Sequence, residues 1–320
     1  MSRELVEEEI LPRFDTGPLR ELPDAATLAF HGRPLVFTTD SFVVKPLEFP
    51  GGNIGHLAVY GTVNDLAVCG ARPLWLSLSL VIEEGLQLRT LRTVLDSIRD
   101  AAADCGVAVV TGDIKVVERG ACDKLFVTTS GIGELLEGFS LCATTISEGD
   151  AILVSGPVGD HGMAVLAARE AINFEGAVAS DTASVYRLVE AVQPFANGIR
   201  FMRDPTRGGL AAVLNEAISG LAVGICIEEN RIPVSAATRA LCELLGLDPL
   251  HSASEGRIVL FCKENVADHI LDSWRKLPEG NRASLIGRVT ADKGRVLIRT
   301  VTGGLRLLDW PRGELLPRIC

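Results

Sequence analysis

The chain has 320 residues, of which 47% are hydrophobic and 22% charged, as is typical of a globular enzyme of about two domains. Its formal net charge of −10 argues against non-specific binding to nucleic acid or to anionic lipid, so an acidic substrate would need local positive groups. No apolar run approaches the roughly 20 residues that a membrane-spanning helix needs. A membrane protein is therefore excluded at this level.

The cysteines predict a reducing environment. None of the eight lies in a CxxC pair or near a His pair with zinc-ligand spacing, so seven of them are expected to pack as small hydrophobic residues. The first ten residues are acidic rather than basic and apolar, which is unlike a signal peptide. We expect a cytoplasmic protein.

Hydrophobic periodicity places the elements of the first half. Residues 1–14 have the pattern of a short amphipathic helix. Further along, the pattern predicts strands over 35–39, 74–82, 107–110 and 124–130, and helices over 57–68 and 86–103. A stretch of turn-forming residues at 146–150 favours a domain boundary near residue 148.

The second half alternates between the two kinds of element, which indicates α/β or α+β layers. The predicted strands cover 151–154, 223–227, 257–261, 284–289 and 295–299, and the predicted helices cover 163–170, 181–193, 210–219, 236–245 and 264–276. We therefore divide the chain into domains at 1–148 and 149–302. Residues 303–320, rich in Gly and Pro, are expected to form a flexible extended arm.

Three aspartates are candidates for a metal site. Asp40 and Asp113 are placed just past the ends of predicted strands, and Asp65 ends a helix that is otherwise apolar. Together they would suit Mg²⁺, which prefers oxygen ligands and a bound phosphate. The alternative is that the strand-end aspartates are turn residues and that Asp65 caps a loop or pairs with Arg72.

Two further motifs precede predicted helices in the second half. The loop Asp204-Pro-Thr-Arg-Gly-Gly209 combines Thr206, Arg207 and Gly208 at a helix start, which favours phosphate binding, although a tight turn with a surface arginine fits as well. His161 follows Asp160 at another helix start and suits either acid–base chemistry or capping. Cys320 is the last residue, on an arm that could span up to ~60 Å, and a free terminal thiol suits the transfer of a covalent group.

The order of these motifs resembles one family over almost the whole length. The segments that carry the resemblance are TTDSFVVKPLEFPGGNIG (38–55), GTVNDLAVCGARP (61–73), IEEG (82–85), TGDIKVVERG (111–120), DKLFVTTSGIG (123–133), SGPVGDHG (155–162), DPTRGGL (204–210), ASEGR (253–257) and LPRIC (316–320). They are similar to the HypE family of hydrogenase-maturation proteins, within the superfamily of aminoimidazole ribonucleotide synthetases and selenophosphate synthetases.

The resemblance implies both a fold and a reaction. The fold is an N-terminal α/β domain whose strands pair across a homodimer into a β-barrel, followed by a C-terminal α/β sandwich. In the family, the carbamoyltransferase HypF places a carbamoyl group on the terminal cysteine, here Cys320, and ATP is used to dehydrate it to a thiocyanate. The cyanide then passes toward the iron of the nickel–iron hydrogenase centre, through the iron-carrying HypC–HypD scaffold.

The resemblance also implies roles for site residues. Lys115 and Glu255 would face the carbamoyl group, and either would be the base. Residues that would hold Mg²⁺-ATP are Asp40, Asn64, Asp65, Gly112, Asp113, Thr206, Arg207 and Gly208, with Asp40, Asp65, Asp113 and Asp204 around the metal. The Gly-rich segment that usually opens the family is absent before Met1, so we expect weaker closure over the nucleotide.

Two rival interpretations stay open on the sequence. One is another ATP-using enzyme of the same superfamily, such as a small-molecule kinase or a selenophosphate synthetase, which would not need Cys320. The other is a non-catalytic assembly scaffold that binds maturation partners through its acidic surface and tail. Such a scaffold would not hydrolyse ATP, and its binding would survive Asp65→Asn and Asp113→Asn.

Overall fold

The first half is built around a five-stranded sheet. The computed structural model describes residues 25–30, 33–172 and 178–310. The elements of this half are β1 (Ala26–Phe30), β2 (Arg33–Phe42), β3 (Glu48–Phe49), β4 (Gly52–Asn53), α1 (Ile54–Val68), β5 (Ala71–Glu83), α2 (Leu88–Cys105), β6 (Ala108–Val117) and β7 (Leu125–Leu135). The sheet order is β1-β2-β7-β5-β6, in which only β5 and β6 run parallel.

Helices α1 and α2 cover one face of this sheet. Alternate residues of β7 are buried, because successive strand residues point to opposite faces. Helix α1 is buried on nearly every side, and the Asn53 side chain caps its start by accepting hydrogen bonds from the N–H groups of Gly55 at 2.8 Å and His56 at 3.2 Å. The opposite face of the sheet carries exposed aromatic residues, among them Phe37 and Trp75.

The second half has a seven-stranded sheet with helices on both faces. Its elements are β8 (Ala151–Val154), α3 (Asp160–Arg169), α4 (Tyr186–Val192), β9 (Ile199–Arg203), α5 (Gly209–Ala217), β10 (Gly224–Glu228), α6 (Ala236–Leu245), β11 (Val259–Cys262), α7 (Glu264–Arg275), β12 (Ser284–Thr290), β13 (Val296–Arg299) and β14 (Leu305–Leu307). The sheet order is β14-β13-β10-β12-β8-β11-β9. All four residues of β8 are buried and contribute alternately to two apolar cores.

The two halves share a core at the end of α1. Ala67 and Val68 pack in the same cluster as Leu153 and Trp274 of the second half. In return, Val165 of α3 joins the core of the first half. The mixed α/β architecture predicted from the sequence is confirmed, and the end of α1 lies where both halves meet. Within the described residues, no helix is long and apolar enough to cross a membrane.

Several predicted boundaries are wrong. The motif at 38–41 lies inside β2 and the motif at 111–113 lies inside β6, rather than after strand ends, because each strand continues beyond its apolar run into polar residues. Helix α4 begins at Tyr186, not at residue 181. The tail predicted to be flexible from Gly303 forms β14 over Leu305–Leu307, which pairs with β13.

Candidate functional site

A carboxylate cluster lies between β2 and α1. The Thr38 hydroxyl donates to Asp65 Oδ2 at 2.9 Å, and Thr38 and Asp40 point to the same face of β2 because they are two residues apart. Asp40 also faces α1, since a Cβ atom added to Gly61 would lie 3.9 Å from Asp40 Oδ2. Of the predicted ligands, Asp40 and Asp65 are therefore brought to the same side of the sheet.

Asp65 does not form the ion pair considered from the sequence. Arg72 instead pairs with Glu134 on the neighbouring strand, with 2.8 Å between Arg72 Nη2 and Glu134 Oε2. The contact with Thr38 was missed, although the hydroxyl lies in the same motif as Asp40. A period of two along a strand is the signal that could have found it, had the motif been placed inside the strand.

A cationic side chain from the second half acts on the cluster. The charge of Arg207 lowers the pKa of Asp40, as does the hydrogen bond from the Ser41 N–H, but burial outweighs both and the pKa is raised from its ordinary value. Arg207 precedes α5, whose N-cap is Gly208 in the left-handed conformation. The loop predicted to bind phosphate thus carries an arginine whose charge acts on one carboxylate of the first half, Asp40.

The loop itself is anchored in the second half. Gly209 N donates to Thr206 O at 2.9 Å, and Ser254 N donates to Pro205 O at 2.9 Å. Asp204 is buried. Thr206 and Gly208 therefore lie at the start of α5, where backbone N–H groups suit an anion.

Asp113 is not part of this cluster, so the predicted set of metal ligands is wrong within one chain. On neighbouring strands, Asp40 is paired with Thr129, Thr129 with Leu78, and Leu78 with Gly112. Paired residues point to the same side of a sheet, so all four lie on the face covered by α1. Asp113 is one residue further along β6 and points to the open face. Three strand spacings, about 14 Å, also separate it from Asp40.

The full set of four predicted metal ligands is not assembled. Among the described ranges, no group of three or more His, Cys, Asp or Glu side chains is placed to hold a metal ion. Two carboxylates are enough for Mg²⁺ when a nucleotide supplies the remaining oxygens. Asp40 and Asp65 fit that smaller requirement, since a partly buried carboxyl with a raised pKa favours a nearby cation.

Asn64 binds backbone rather than nucleotide, which corrects its predicted role. Its Nδ2 donates to the carbonyls of Ala183 at 3.0 Å and Glu255 at 3.2 Å, and its Oδ1 accepts from Val185 N at 2.8 Å. Both amide donors are therefore used. Asn64 is completely buried and ties the end of α1 to two loops of the second half.

Lys115 and Glu255 are not brought together within one chain. Lys115 is exposed and shares the open face of β6 with Asp113, whereas Glu255 is buried beside the end of α1, on the other side of the sheet. Gly112 is required by packing, because a Cβ atom there would lie 2.2 Å from Leu78 O. No nucleotide contact is needed to explain that glycine.

His161 is a core residue, and it does not cap the helix. The N-cap of α3 is Gly159, and His161 lies fully buried in the first turn with its Nδ1 2.8 Å from Ser180 Oγ. Burial lowers its pKa to about 3. Its ring also packs edge-on against Phe49, with 5.3 Å between the ring centroids.

Two predicted features lie outside the described residues. These are Cys320, the proposed carrier, and the amphipathic helix at 1–14. All seven cysteines within the described part of the chain are free thiols. The sequence analysis missed Asp181. This residue contacts the loop from Ser252 to Arg257, where it accepts a hydrogen bond from the Glu255 N–H and pairs with Arg257.

Two family models match the chain. The model described as AIR synthase related protein, N-terminal domain, covers residues 23–135, and the corresponding C-terminal domain model covers residues 147–299. Structures of thiamine monophosphate kinase have TM-scores of 0.69 to 0.71 at 18 to 20% identity and show a common fold alone. The two family models therefore account for both sheets described above.

Closer relatives share one name. The carbamoyl dehydratase HypE of Cupriavidus necator is 46% identical over 99% of this chain and 91% of its own length, and that of Escherichia coli is 45% identical over 93% and 88%. A crystal structure of a HypE–HypF complex matches with a TM-score of 0.92 at 43% identity, covering 96% of this chain and 99% of the other. A HypE structure with bound ATP matches at 0.86 and 44%, covering 100% and 96%. The chain belongs to the carbamoyl dehydratase HypE family of AIR synthase related proteins.

Proposed function

We propose that this protein uses ATP to dehydrate an S-carbamoyl group on Cys320 to a thiocyanate, which supplies a cyanide ligand for nickel–iron hydrogenase. The observation that carries the proposal is the placing of Asp40 and Asp65 on the same side of the sheet, at α1, with the charge of Arg207 from the second half acting on Asp40. Two carboxylates, a guanidinium and a helix N-terminus suit a metal-bound triphosphate. The ATP-bound relative supports the choice of nucleotide.

In this proposal, the first half of the chain binds the metal ion and the second half binds the phosphate groups of the nucleotide. Asp40 and Asp65 would hold Mg²⁺, which supplies neutralisation of the phosphate charge when bound. Arg207 and the N–H groups at the start of α5, with Thr206 and Gly208, would bind phosphate oxygens. The Thr38 hydroxyl orients Asp65 by donating to Oδ2.

The proposed reaction balances without a redox partner. A carbamoyl oxygen is a poor leaving group, and transfer of the terminal phosphoryl group of ATP to that oxygen makes it leave as phosphate. Removal of both N–H protons then converts the C–N bond to a nitrile while the S–C bond stays intact. Glu255 would accept a proton, and its burial beside the end of α1, on the same side of the sheet as Asp65, supports this role.

Lys115 and Asp113 would act at the site of a second copy of the chain. They lie on the open face of the sheet, which carries the exposed Trp75 and Phe37, and the edge strand β6 exposes apolar Ile114 as well. An uncovered apolar sheet face with an unpaired edge is typical of an association surface. We therefore assign the open face to a homodimer in which each chain's Lys115 serves the site of the other chain.

The remaining parts of the proposal concern partners and compartments. HypF as carbamoyl donor is supported by the HypE–HypF complex among the relatives, and delivery to HypC–HypD follows from the destination of the cyanide. We place the reaction in the cytoplasm, which the free cysteines of the described ranges favour. We retain 1–148 and 149–302 as domains, followed by the tail 303–320 that ends in Cys320.

A subunit-mixing experiment tests the shared site. Lys115→Ala and Glu255→Gln are each expected to abolish loss of water from a carbamoylated chain. The two variants are dissociated, mixed in equal amounts and allowed to form dimers again. About half of the dimers then contain one chain of each variant, and each of these has one complete site out of two. The mixture should therefore recover about one quarter of wild-type activity. No recovery by mixing would show that the two residues do not act from different chains.

A further inference from the structure

The main chain of Glu255 is held from both halves of the molecule. Its N–H donates to Asp181 Oδ1 at 3.0 Å, and its carbonyl accepts from Asn64 Nδ2 at 3.2 Å. The Ala183 N–H lies 3.4 Å from the same carbonyl. Both polar groups of the Glu255 peptide unit are therefore fixed, one by a side chain of the second half and one by the end of α1.

Asp181 is in turn fixed by Arg257. The Asp181 side chain is 1% exposed, and its Oδ2 lies 3.3 Å from Arg257 Nε. The guanidinium also donates to the carbonyls of Pro157 at 2.9 Å, Gly256 at 3.2 Å and Glu279 at 3.3 Å. These hydrogen bonds hold the guanidinium in place, and its contact with Asp181 is one of charge, since Asp181 Oδ2 accepts no hydrogen bond from the described residues.

The loop can approach Asp181 only because residue 256 is glycine. A Cβ atom at Gly256 would lie 2.0 Å from the Asp181 carbonyl oxygen. Any other residue would push the two loops apart. Glu255 is thus followed by a glycine and an arginine that both lie against Asp181.

We propose that Asp181 is a positioning residue for Glu255, and that its buried pair with Arg257 holds the Glu255 carboxyl at the place where it meets the S-carbamoyl group. The inference rests on the proposed function, since it assigns Glu255 to proton transfer. Asn64 extends the same network to the helix that carries Asp65. Placement of the base is thereby linked to the nucleotide side of the site.

The ionised form of Asp181 is the one that pairs with Arg257. Burial raises the pKa of Asp181 to about 6, with Asp160 raising it further, while Arg257 and the hydrogen bond from the Glu255 N–H lower it. The nearby His161 is neutral at these pH values, because burial lowers its pKa to about 3. Protonation below pH 6 therefore weakens the pair and loosens Glu255.

The test compares wild type with Asp181→Asn in the full-length, HypF-carbamoylated chain. Asparagine can still accept the Glu255 N–H, but it cannot form the ion pair. We expect the rate of ATP-dependent water loss at pH 7.5 to fall on the order of 10- to 100-fold, with ATP affinity changed by less than about twofold. The ratio of wild-type to variant rates should shrink to roughly 2- to 10-fold at pH 5, where about one tenth of wild-type Asp181 is still ionised.

A matched variant controls for general destabilisation. Asp150 is also buried, accepts the Ser147 N–H at 2.8 Å and lies 3.4 Å from Arg200 Nε, but it has no contact with Glu255. Asp150→Asn should lower the melting temperature and leave the rate ratio near 1 at every pH. If Asp181→Asn does not fold, Arg257→Lys is used in its place and should lower the rate while sparing ATP affinity.

The outcomes separate the inference from the proposed function. If wild type loses water and Asp181→Asn matches it, or differs by the same ratio at every pH, the positioning role is wrong and the proposed function stands. If carbamoylated wild type does not lose water with ATP, the proposed function is overturned and the inference with it. A pH-dependent ratio with intact ATP binding supports both.

Discussion

His161 is a residue whose burial makes stability depend on pH. Its pKa falls from 6.5 to about 3 on folding because burial disfavours the imidazolium. Between these two values the unfolded chain binds the proton more readily than the folded chain. The free energy of unfolding therefore decreases as the pH falls below 6.5, and it increases again as the pH rises.

Replacing this histidine should remove that dependence. Between pH 7.5 and 5.5, His161 is expected to lower the free energy of unfolding of wild type by about 1.4 kcal/mol, and His161→Gln should not show this loss. Urea denaturation at both pH values and one protein concentration measures the difference. The raised pKa of Asp181 acts in the opposite direction in both proteins, so it cancels in the comparison. Equal pH dependence in the two proteins would contradict the account.

The sequence identified candidate site residues by their type and position, but it could not identify their contact partners. Asp40 and Asp65 were found because carboxylates in an apolar segment need a partner. Asn64 was assigned to the nucleotide, yet its amide binds three backbone groups contributed by residues more than 100 positions away. No local pattern encodes such partners, because they are set by how the two halves pack.

At the scale of elements, α1 packs against β2 through a glycine. A Cβ atom at Gly61 would lie 2.7 Å from the ring of Phe42, which is itself buried. The close approach brings α1 near Asp40 and so shapes the carboxylate cluster. A larger residue at 61 has to move the helix, the ring or both.

A double-mutant cycle tests this contact. Gly61→Ala should destabilise the protein by about 1–2 kcal/mol, since overpacking outweighs the higher helix propensity of alanine. In a Phe42→Leu background the same change should be neutral or stabilising, because the clash is relieved. Free energies of unfolding from urea titrations give all four corners. Equal effects in both backgrounds would show that the ring does not limit the approach of α1.

Strand ends were the weakest part of the element prediction. The sequence pattern located β8 and α6 with their observed bounds, because both are flanked by turn residues. Strand β8 is apolar and buried throughout, and α6 is buried along one face. In β6 the polar residues from Thr111 to Asp113 ended the hydrophobic pattern, although the strand continues to Val117. Pairing with β5 supplies the backbone hydrogen bonds that keep this exposed segment extended.

At the scale of the whole molecule, no described helix covers the open face of the first sheet, and β6 lies at its edge among the described strands. Ile114 is 62% exposed at that edge. Ile114→Lys should therefore weaken self-association by at least about tenfold, while the monomer keeps its fold, since no described core depends on this side chain. Light scattering after size-exclusion chromatography measures the mass.

The control for this change is an apolar residue of equal exposure elsewhere. Leu244 on α6 is 66% exposed, and Leu244→Lys should not alter the mass in solution. A dimer that survives Ile114→Lys, or one that is lost equally with Leu244→Lys, would argue against β6 as the association edge. The homodimer was expected from the family resemblance, whereas composition and periodicity alone do not predict it.

The most direct test of the proposed function is the intact mass of the protein after treatment with HypF and carbamoyl phosphate, before and after Mg²⁺-ATP is added, with Cys320→Ser alongside. The proposal predicts a gain of one carbamoyl group on wild type, followed by loss of one water only when ATP is present, and no gain on Cys320→Ser. A folded wild-type chain that takes up the carbamoyl group but keeps its water with ATP would contradict it, as would carbamoylation of Cys320→Ser.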